Sequence, residues 1–282
     1  MSAKQSKLWY AKLGAPISIE YAKRTEPFTM PNEHFHEQYE IYYLFSGERY
    51  YFIGDHTYHI HSGDLVCIPS QELHKTSEAT LPKHERIVIY FNESFVRENY
   101  SEHADLLLSP FHAPNPVYRF SAKDLILTES LFQQLLAELH TKPLGYEIRI
   151  QHTFVEVLLL AARHLRKQEP TLSPLESPLH QKISDITRHI RAHISADLSL
   201  SALAEQFYIS PYYLSRTFKA VTGFTLTEYV HTARIRQAMQ LLKDTELSIL
   251  DISNQVGFVN FSHFGKIFKK ITQLSPREYR KE

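Results

Sequence analysis

Two short segments of the chain hold residue types able to do chemistry. The first reads His34-Phe-His36-Glu-Gln-Tyr-Glu40-Ile-Tyr42, with Gly47 following. Positions 34, 36, 40 and 42 share parity, so an extended chain would turn His34, His36, Glu40 and Tyr42 to one face. The second, Gly63-Asp-Leu-Val-Cys-Ile-Pro69, leads to His74. Imidazoles, a carboxylate and a phenol can bind a small polar ligand by hydrogen bonds. They can hold a divalent Fe, Mn, Ni, Zn or Cu ion. They can also satisfy one another inside a fold. Spacing leaves all three readings open, and with 17 histidines in the chain it is spacing, not count, that carries the signal.

The elements that must position these residues read as β-structure. From Tyr39 to Phe91 short runs rich in Tyr, Ile, Val and Phe alternate with turn residues at Ser46-Gly47, Gly54-Asp55, Ser62-Gly63-Asp64 and Pro69-Ser70. This punctuation predicts a small barrel or sandwich. The two segments resemble the two motifs of the cupin barrel. In metal-bearing cupins the matching positions, here His34, His36, Glu40 and His74, bind one divalent ion. Cys67 alternates with Val66 and Ile68 and reads as a core residue.

After Asn92 the pattern turns helical. Leu125, Leu131, Phe132, Leu135, Leu136 and Leu139 form one apolar stripe, and Phe154, Val157, Leu158, Ala161 and Leu165 another. They predict a hairpin of two long helices, around Asp124–His140 and Gly145–Arg166. Its apolar face would pack on the barrel or on a second copy of the chain.

The last hundred residues contain a repeat at an offset of 50. Phe218, Lys219, Thr222, Glu228 and Tyr229 recur as Phe268, Lys269, Thr272, Glu278 and Tyr279. Ser210 and Asn260 are both good N-cap residues. Thr225-x-x-Glu228 and Ser275-x-x-Glu278 are both capping boxes. Each unit reads as a short helix (Leu200 to Phe207, Ile249 to Val256), a tight turn, and a second helix (Pro211 to Thr222, Phe261 to Thr272). That arrangement places one helix in a DNA major groove. A helix from Leu226 to Leu242 joins the units. In the first groove helix Leu214, Phe218 and Val221 face inward, leaving Tyr212, Ser215, Arg216 and Lys219 outward. In the second Phe261, Phe264, Phe268 and Ile271 face inward, and Ser262, His263, Lys266 and Lys269 outward. Arg216 and Lys266 can donate to guanine or to phosphate. Lys219 and Lys269, with Lys270, lie where phosphates are met. Gly265 is an oddity inside its helix.

Charge supports the division. Lys and Arg total 31, as do Asp and Glu, but residues 1–179 hold 17 cations against 22 acids and residues 180–282 hold 14 against 9. A polyanion partner for the C-terminal part follows. Pro170, Pro174 and Pro178 mark an extended linker between the halves. The single Cys excludes an intramolecular disulfide framework and a multi-cysteine zinc site. The longest apolar run, Val157 to Ala162, is too short to span a membrane. The start of the chain lacks the apolar stretch of a secretory signal. A cytoplasmic location is the expectation. Nucleophile elbow, phosphate loop and dinucleotide fingerprint are all missing from the sequence.

The repeat resembles the DNA-binding domain of the AraC/XylS family of bacterial transcription regulators. The second unit carries the most specific match: Ile249 through Gly257-Phe258, then Phe264, Lys266, Phe268-Lys269, Thr272, Ser275-Pro276 and Tyr279-Arg280. The cupin-like half and the hairpin resemble the sensor half of that family. The expected fold is α+β. It has a cupin-like sensing and dimerisation domain (1–168), a linker (169–179) and an all-α domain of two helix-turn-helix units (180–282). The resemblance implies a cytoplasmic transcriptional regulator, an activator by family habit, that binds promoter DNA and contacts RNA polymerase as a homodimer. It implies a small-molecule effector, a sugar or sugar derivative, held by His34, His36, Glu40, Tyr42 and His74. No catalytic residue, metal or cofactor is expected. The alternative is a metal-binding cupin sensor, or a cupin enzyme, fused to the DNA-binding domain.

Overall fold

A computed structural model describes residues 6–10, 15–26, 28, 36–80, 82–167 and 178–281. The chain divides into two compact units, residues up to 53 with 58–175, and 54–57 with 176 onward.

The first unit is built from β1 (Ser6–Tyr10), β2 (Ile17–Arg24), β3 (Tyr39–Ser46), β4 (Glu48–Ile53), β5 (His56–His61), β6 (Leu65–Ile68), β7 (His74–Glu78) and β8 (His84–Phe91). The short helices α1 (Glu93–Asn99) and α2 (Ala104–Leu108) follow, then β9 (Val117–Tyr118) and the long helices α3 (Ala122–Thr141) and α4 (Tyr146–Lys167). Among the described residues the strands form a six-stranded sheet, β1-β2-β8-β3-β6-β9, and a three-stranded sheet, β5-β4-β7. Every described pairing is antiparallel.

Strand alternation splits the large sheet's residues by parity. Ile17, Ile19, Ile41, Tyr43, Cys67, Ile87, Ile89 and Phe91 pack with the helices. Tyr42, Leu44, Val66, Ile68 and Val88 pack with Tyr51, Ile53 and Ile60 of the small sheet. A bulge between Leu44 and Ser46 shifts the β3–β8 register at one end. The hairpin of α3 and α4 therefore spends its apolar stripe on the sheet. Leu131, Phe132, Leu135 and Leu139 face Phe154, Val157, Leu158 and Ala161 in that core, and Phe132 stacks on Tyr43 at 4.4 Å. Ser121 caps α3 by accepting from the Asp124 amide. Cys67 is fully buried, and burial pushes its thiol up. The sequence pattern does not reveal strands β1 and β2.

The second unit is helical: α5 (Pro178–Ala192), α6 (Leu200–Gln206), α7 (Pro211–Thr222), α8 (Leu226–Asp244), α9 (Ile249–Gln255), α10 (Phe261–Thr272) and α11 (Pro276–Tyr279). The proline-rich stretch 168–177 lies outside the described residues. Pro178 and Leu179, the last two residues of the expected linker, are also the first two of α5. Proline is tolerated there because the first helical amide has no intrahelical partner. Ser210 and Asn260 each accept an amide hydrogen bond at their helix starts, and both capping boxes form. The cores repeat as well: Phe218 and Tyr229 sit edge to face at 5.5 Å, and Phe268 and Tyr279 at 5.7 Å.

The two turns differ. After α6 the residue with positive φ is Tyr208 (54°), and after α9 it is Gly257 (88°). Three residues separate α6 from the Ser210 cap and four separate α9 from Asn260. Val259 is the extra residue and is fully exposed. A Cβ on Gly257 would lie 2.9 Å from the Ile194 carbonyl oxygen and 2.9 Å from Ser195 Cα, so only glycine fits that turn. Arg234 of α8 holds the same loop, donating to the Ile194 and Ala196 carbonyls.

Candidate functional site

Two kinds of site emerge, one turned inward between the sheets and one turned outward on the helical unit. Glu40 of β3 shares the inner face of the large sheet with Tyr42, and it is 1% exposed. Tyr51 of β4 donates its hydroxyl to Glu40 Oε1 at 2.6 Å. His36 Nε2 and His74 Nε2 each stand 3.2 Å from Glu40 Oε2. Carbonyl oxygens fix both rings from behind, Gln38 at 2.8 Å from His36 Nδ1 and Glu72 at 2.7 Å from His74 Nδ1. A carbonyl only accepts, so each Nδ1 carries a proton, and each Nε2 faces the carboxylate.

Burial alone would raise the Glu40 pKa, but the His74 imidazole, then His36, holds it well below the carboxylate range. Burial would lower His74, but Glu40 raises it above the usual histidine value. Within this buried pair each group favours the charged form of the other. Burial, with Glu40 beside it, pushes the Tyr51 phenol well up. Tyr42 packs edge to face on Tyr51 at 5.2 Å.

Of the residues expected at this site, Glu40, Tyr42, His36 and His74 converge. His34 lies outside the described residues. Strand parity does not bring His36 in, because β3 begins only at Tyr39. A bend at residues 37 and 38 does. Motif spacing misses Tyr51 and three arginines on the same inner faces: Arg24, Arg49 and Arg86. Parity is the signal that finds them, since Arg49 alternates with Tyr51 and Ile53, and Arg86 with Val88 and Tyr90.

The set of His36, Glu40 and His74 brings three ligating atoms within 4.8 Å of one another. Both imidazoles are oriented through Nδ1, as metal-binding histidines commonly are. These residues therefore fit a divalent ion. Glu48, His59 and His61 converge similarly at the β4–β5 edge, with His61 exposed.

The outward site lies on α7 and α10. Tyr212, Ser215, Arg216 and Lys219 are exposed on α7, while Leu214, Thr217, Phe218 and Val221 are buried. On α10 Ser262, His263, Lys266 and Lys269 are exposed over buried Phe264 and Phe268. Arg216, Lys219 and Lys266 carry no ion pair among the described residues. His263 is not wholly free, since its ring meets His231 at 5.3 Å and Phe258 at 5.9 Å. Phe261, expected inward, is 48% exposed, and Ile271 is only half-buried. At the first helical position Phe261 lies at the rim, where Phe264 stacks on it at 6.3 Å. A Cβ on Gly265 would meet nothing within 4 Å, so packing does not require glycine there.

Short helix, tight turn and exposed cationic second helix, repeated about one connecting helix, define a DNA-binding protein with two helix-turn-helix units, here following a sheet domain with a polar interior. Known proteins agree. Residues 18–143 match the model of an AraC-like ligand binding domain, and residues 203–282 match that of a helix-turn-helix domain. The HTH-type transcriptional regulator YfiF of Bacillus subtilis is 25% identical over 250 residues, 88% of this chain and 78% of that one. The HTH-type transcriptional activator RhaR of Mannheimia succiniciproducens is 24% identical over 94% of this chain and 92% of its own. Among solved structures ToxT of Vibrio cholerae O395 aligns over 94% of this chain and 97% of its own, at 16% identity and a TM-score of 0.37. The chain belongs to the AraC family of DNA-binding transcriptional regulators and carries that family's ligand-binding domain. No helix among the described residues is long and apolar enough to cross a membrane.

Proposed function

We propose that this regulator activates transcription in response to a small molecule, a sugar or sugar derivative, taken between the two sheets. The observation that carries this reading is the cluster of His36, Glu40, Tyr42 and His74, polar groups gathered between the sheets, with Glu40, Tyr42 and His74 buried. Buried polar groups are unfavourable unless hydrogen-bonded. This set offers the donors and acceptors that sugar hydroxyls need. His34 belongs to the same proposed set by sequence.

Tyr212, Ser215, Arg216 and Lys219 of α7, with Ser262, His263, Lys266 and Lys269 of α10, are the proposed DNA contacts. Arg216 and Lys266 reach bases or phosphates, and the lysines further along meet phosphates. The sensing domain is residues 1–168, the linker 169–179 and the DNA-binding domain 180–282. The protein works in the cytoplasm as a homodimer, with α3 and α4 as the self-association elements, and contacts RNA polymerase. Ile126, Leu127, Leu144 and Ile148 are the large apolar side chains these helices and their loop leave exposed. Activation is supported by the activator name of the RhaR relative. The effector acts by binding one arrangement of the protein better than another, which shifts DNA occupancy by its differential affinity. Nothing in this scheme calls for turnover.

The test is fluorescence anisotropy of labelled promoter DNA, with and without candidate sugars. A sugar that changes DNA affinity in the wild type and not in His74→Ala supports the reading. Sugar-independent DNA binding across the set refutes it. A second reading, a metal-dependent sensor, is favoured by the convergence of His36, Glu40 and His74 within 4.8 Å. One equivalent of metal in purified protein, lost in His36→Ala, would establish it. Metal-free protein with full DNA response would remove it.

A further inference from the structure

Three arginines meet between the two sheets of the first unit. Arg24 ends β2 opposite His84, and Arg86 of β8 lies between Ala22 of β2 and Leu44 of β3. Arg49 enters from β4, in register with Glu78. Arg49 is fully buried and Arg86 is 6% exposed. Arg86 Nη2 donates to Glu20 Oε1 at 2.9 Å, and Arg49 Nη2 to the Phe28 carbonyl at 2.5 Å. The Arg24 guanidinium lies 3.5 Å over the Phe28 ring. Arg49 Nε and Nη1, Arg86 Nη1, Arg24 Nε and the Tyr42 hydroxyl are buried without a hydrogen-bond partner among the described residues.

The charge here is not balanced. The three guanidiniums act on one another electrostatically. Burial and these same arginines push His84 down to about 4, so it is neutral at pH 7. Of the nearby carboxylates, Glu20 is ion-paired to Arg86, Glu78 makes no ion pair with Arg49 among the described residues, and Glu40 is taken by the histidines. A buried guanidinium with unpaired N–H groups is strongly unfavourable. Its planar fork matches the oxygens of a carboxylate or phosphate. Neutral hydroxyls would leave the charge uncompensated.

We propose that Arg24, Arg49, Arg86 and the Tyr42 hydroxyl form an oxyanion-binding site between the sheets, so that the effector is an acidic small molecule carrying a carboxylate or phosphate. This rests on the reading that the sheet domain takes the effector, and it names the effector's chemical class. The Tyr42–Tyr51 ring pair joins this site to the His36–Glu40–His74 cluster, which receives the neutral, hydroxyl-bearing part.

The test follows thermal unfolding of the full-length protein by the fluorescence of Trp9, the single tryptophan, which pairs with Glu20 in the β1–β2 ladder. Glucose, glucuronate, glucose 6-phosphate and inorganic phosphate are each compared with sodium chloride at matched ionic strength. Ligands that bind the folded state raise the midpoint. The acidic probes are expected to raise it by several degrees and glucose not to. A larger shift with glucuronate identifies a carboxylate, and a larger shift with the phosphates a phosphate. Arg49→Met and the less buried Arg24→Met should lose the shift while unfolding no earlier than wild type in chloride, because each removes a buried unpaired charge. No anion-specific shift in the wild type overturns the proposal. So does a shift that both variants keep, which would place the anion elsewhere, as on the DNA-facing helices. If glucose alone acts and both variants still respond to it, the oxyanion site fails while a small-molecule sensor stands.

Discussion

The two units handle charge in opposite ways. The sheet unit keeps a set of charged groups inside, where Glu40, His74, Arg49 and Arg86 are all nearly or fully buried. The helical unit buries only apolar and small polar groups along α7 and α10 and leaves Arg216, Lys219, Lys266 and Lys269 in solvent. Interior charge must be matched by the fold or by a ligand, because desolvation is large. Exterior charge is nearly neutral to stability and free for a polyanion. Charge in the first unit is therefore a matter of folding and selectivity, and charge in the second a matter of binding.

The comparison can be broken most directly by removing charge in each unit. Glu40→Ala takes away the buried carboxylate that Tyr51, His36 and His74 meet and is expected to destabilise the sheet unit by about 3–5 kcal/mol, read from Trp9 fluorescence in urea. A loss under ~1 kcal/mol would mean that water reaches the site. Arg216→Ala and Lys266→Ala should leave the urea midpoint in place and weaken promoter binding by about 1–3 kcal/mol where they read bases. Binding should also fall steeply with salt, and a flat salt response would contradict an outward cationic surface.

A pH series sharpens the contrast. His74 is raised in the folded state, so its contribution is complete below the ordinary histidine value of 6.5 and is lost as pH rises through its folded pKa. Glu40 is lowered, so its contribution is present above the ordinary 4.5 and is lost as pH falls through its folded pKa. Stability of the sheet unit should peak between those limits, and Glu40→Gln should flatten the profile. An unchanged profile in Glu40→Gln would show that other groups set it. The smallest effect expected is Gly265→Ala. With open space for a Cβ, it should stabilise the helical unit by up to about 1 kcal/mol. If promoter binding falls at the same time, glycine is kept there for close approach to DNA.

The units also differ in how far the sequence can be read. Helices α7 and α10 are legible to the residue, because caps, a proline at N1 and a 3.6-residue period are local signals, and most of them recur in both copies. The turn after α9 is less so, since the requirement for glycine at 257 comes from Ile194 and Ser195, about sixty residues away. In the sheet unit β3 and β6 are legible from their apolar runs. Strand β2 is not, because Glu20, Lys23 and Arg24 break its alternation with charge. Two of those charges, Glu20 and Arg24, are ones the interior uses. Phe261 is misplaced by periodicity because a helical repeat gives a direction and not the neighbour that must lie there.

The sequence alone determined the repeat, its caps and the parity of strands such as β3 and β6, since these depend on contacts within a few residues. Which strands face each other, and hence which of the chain's cations are dry, was decided only when the small sheet closed over the large one. Parity assigns a side chain to a face, but burial depends on what covers that face, and the cover comes from distant parts of the chain.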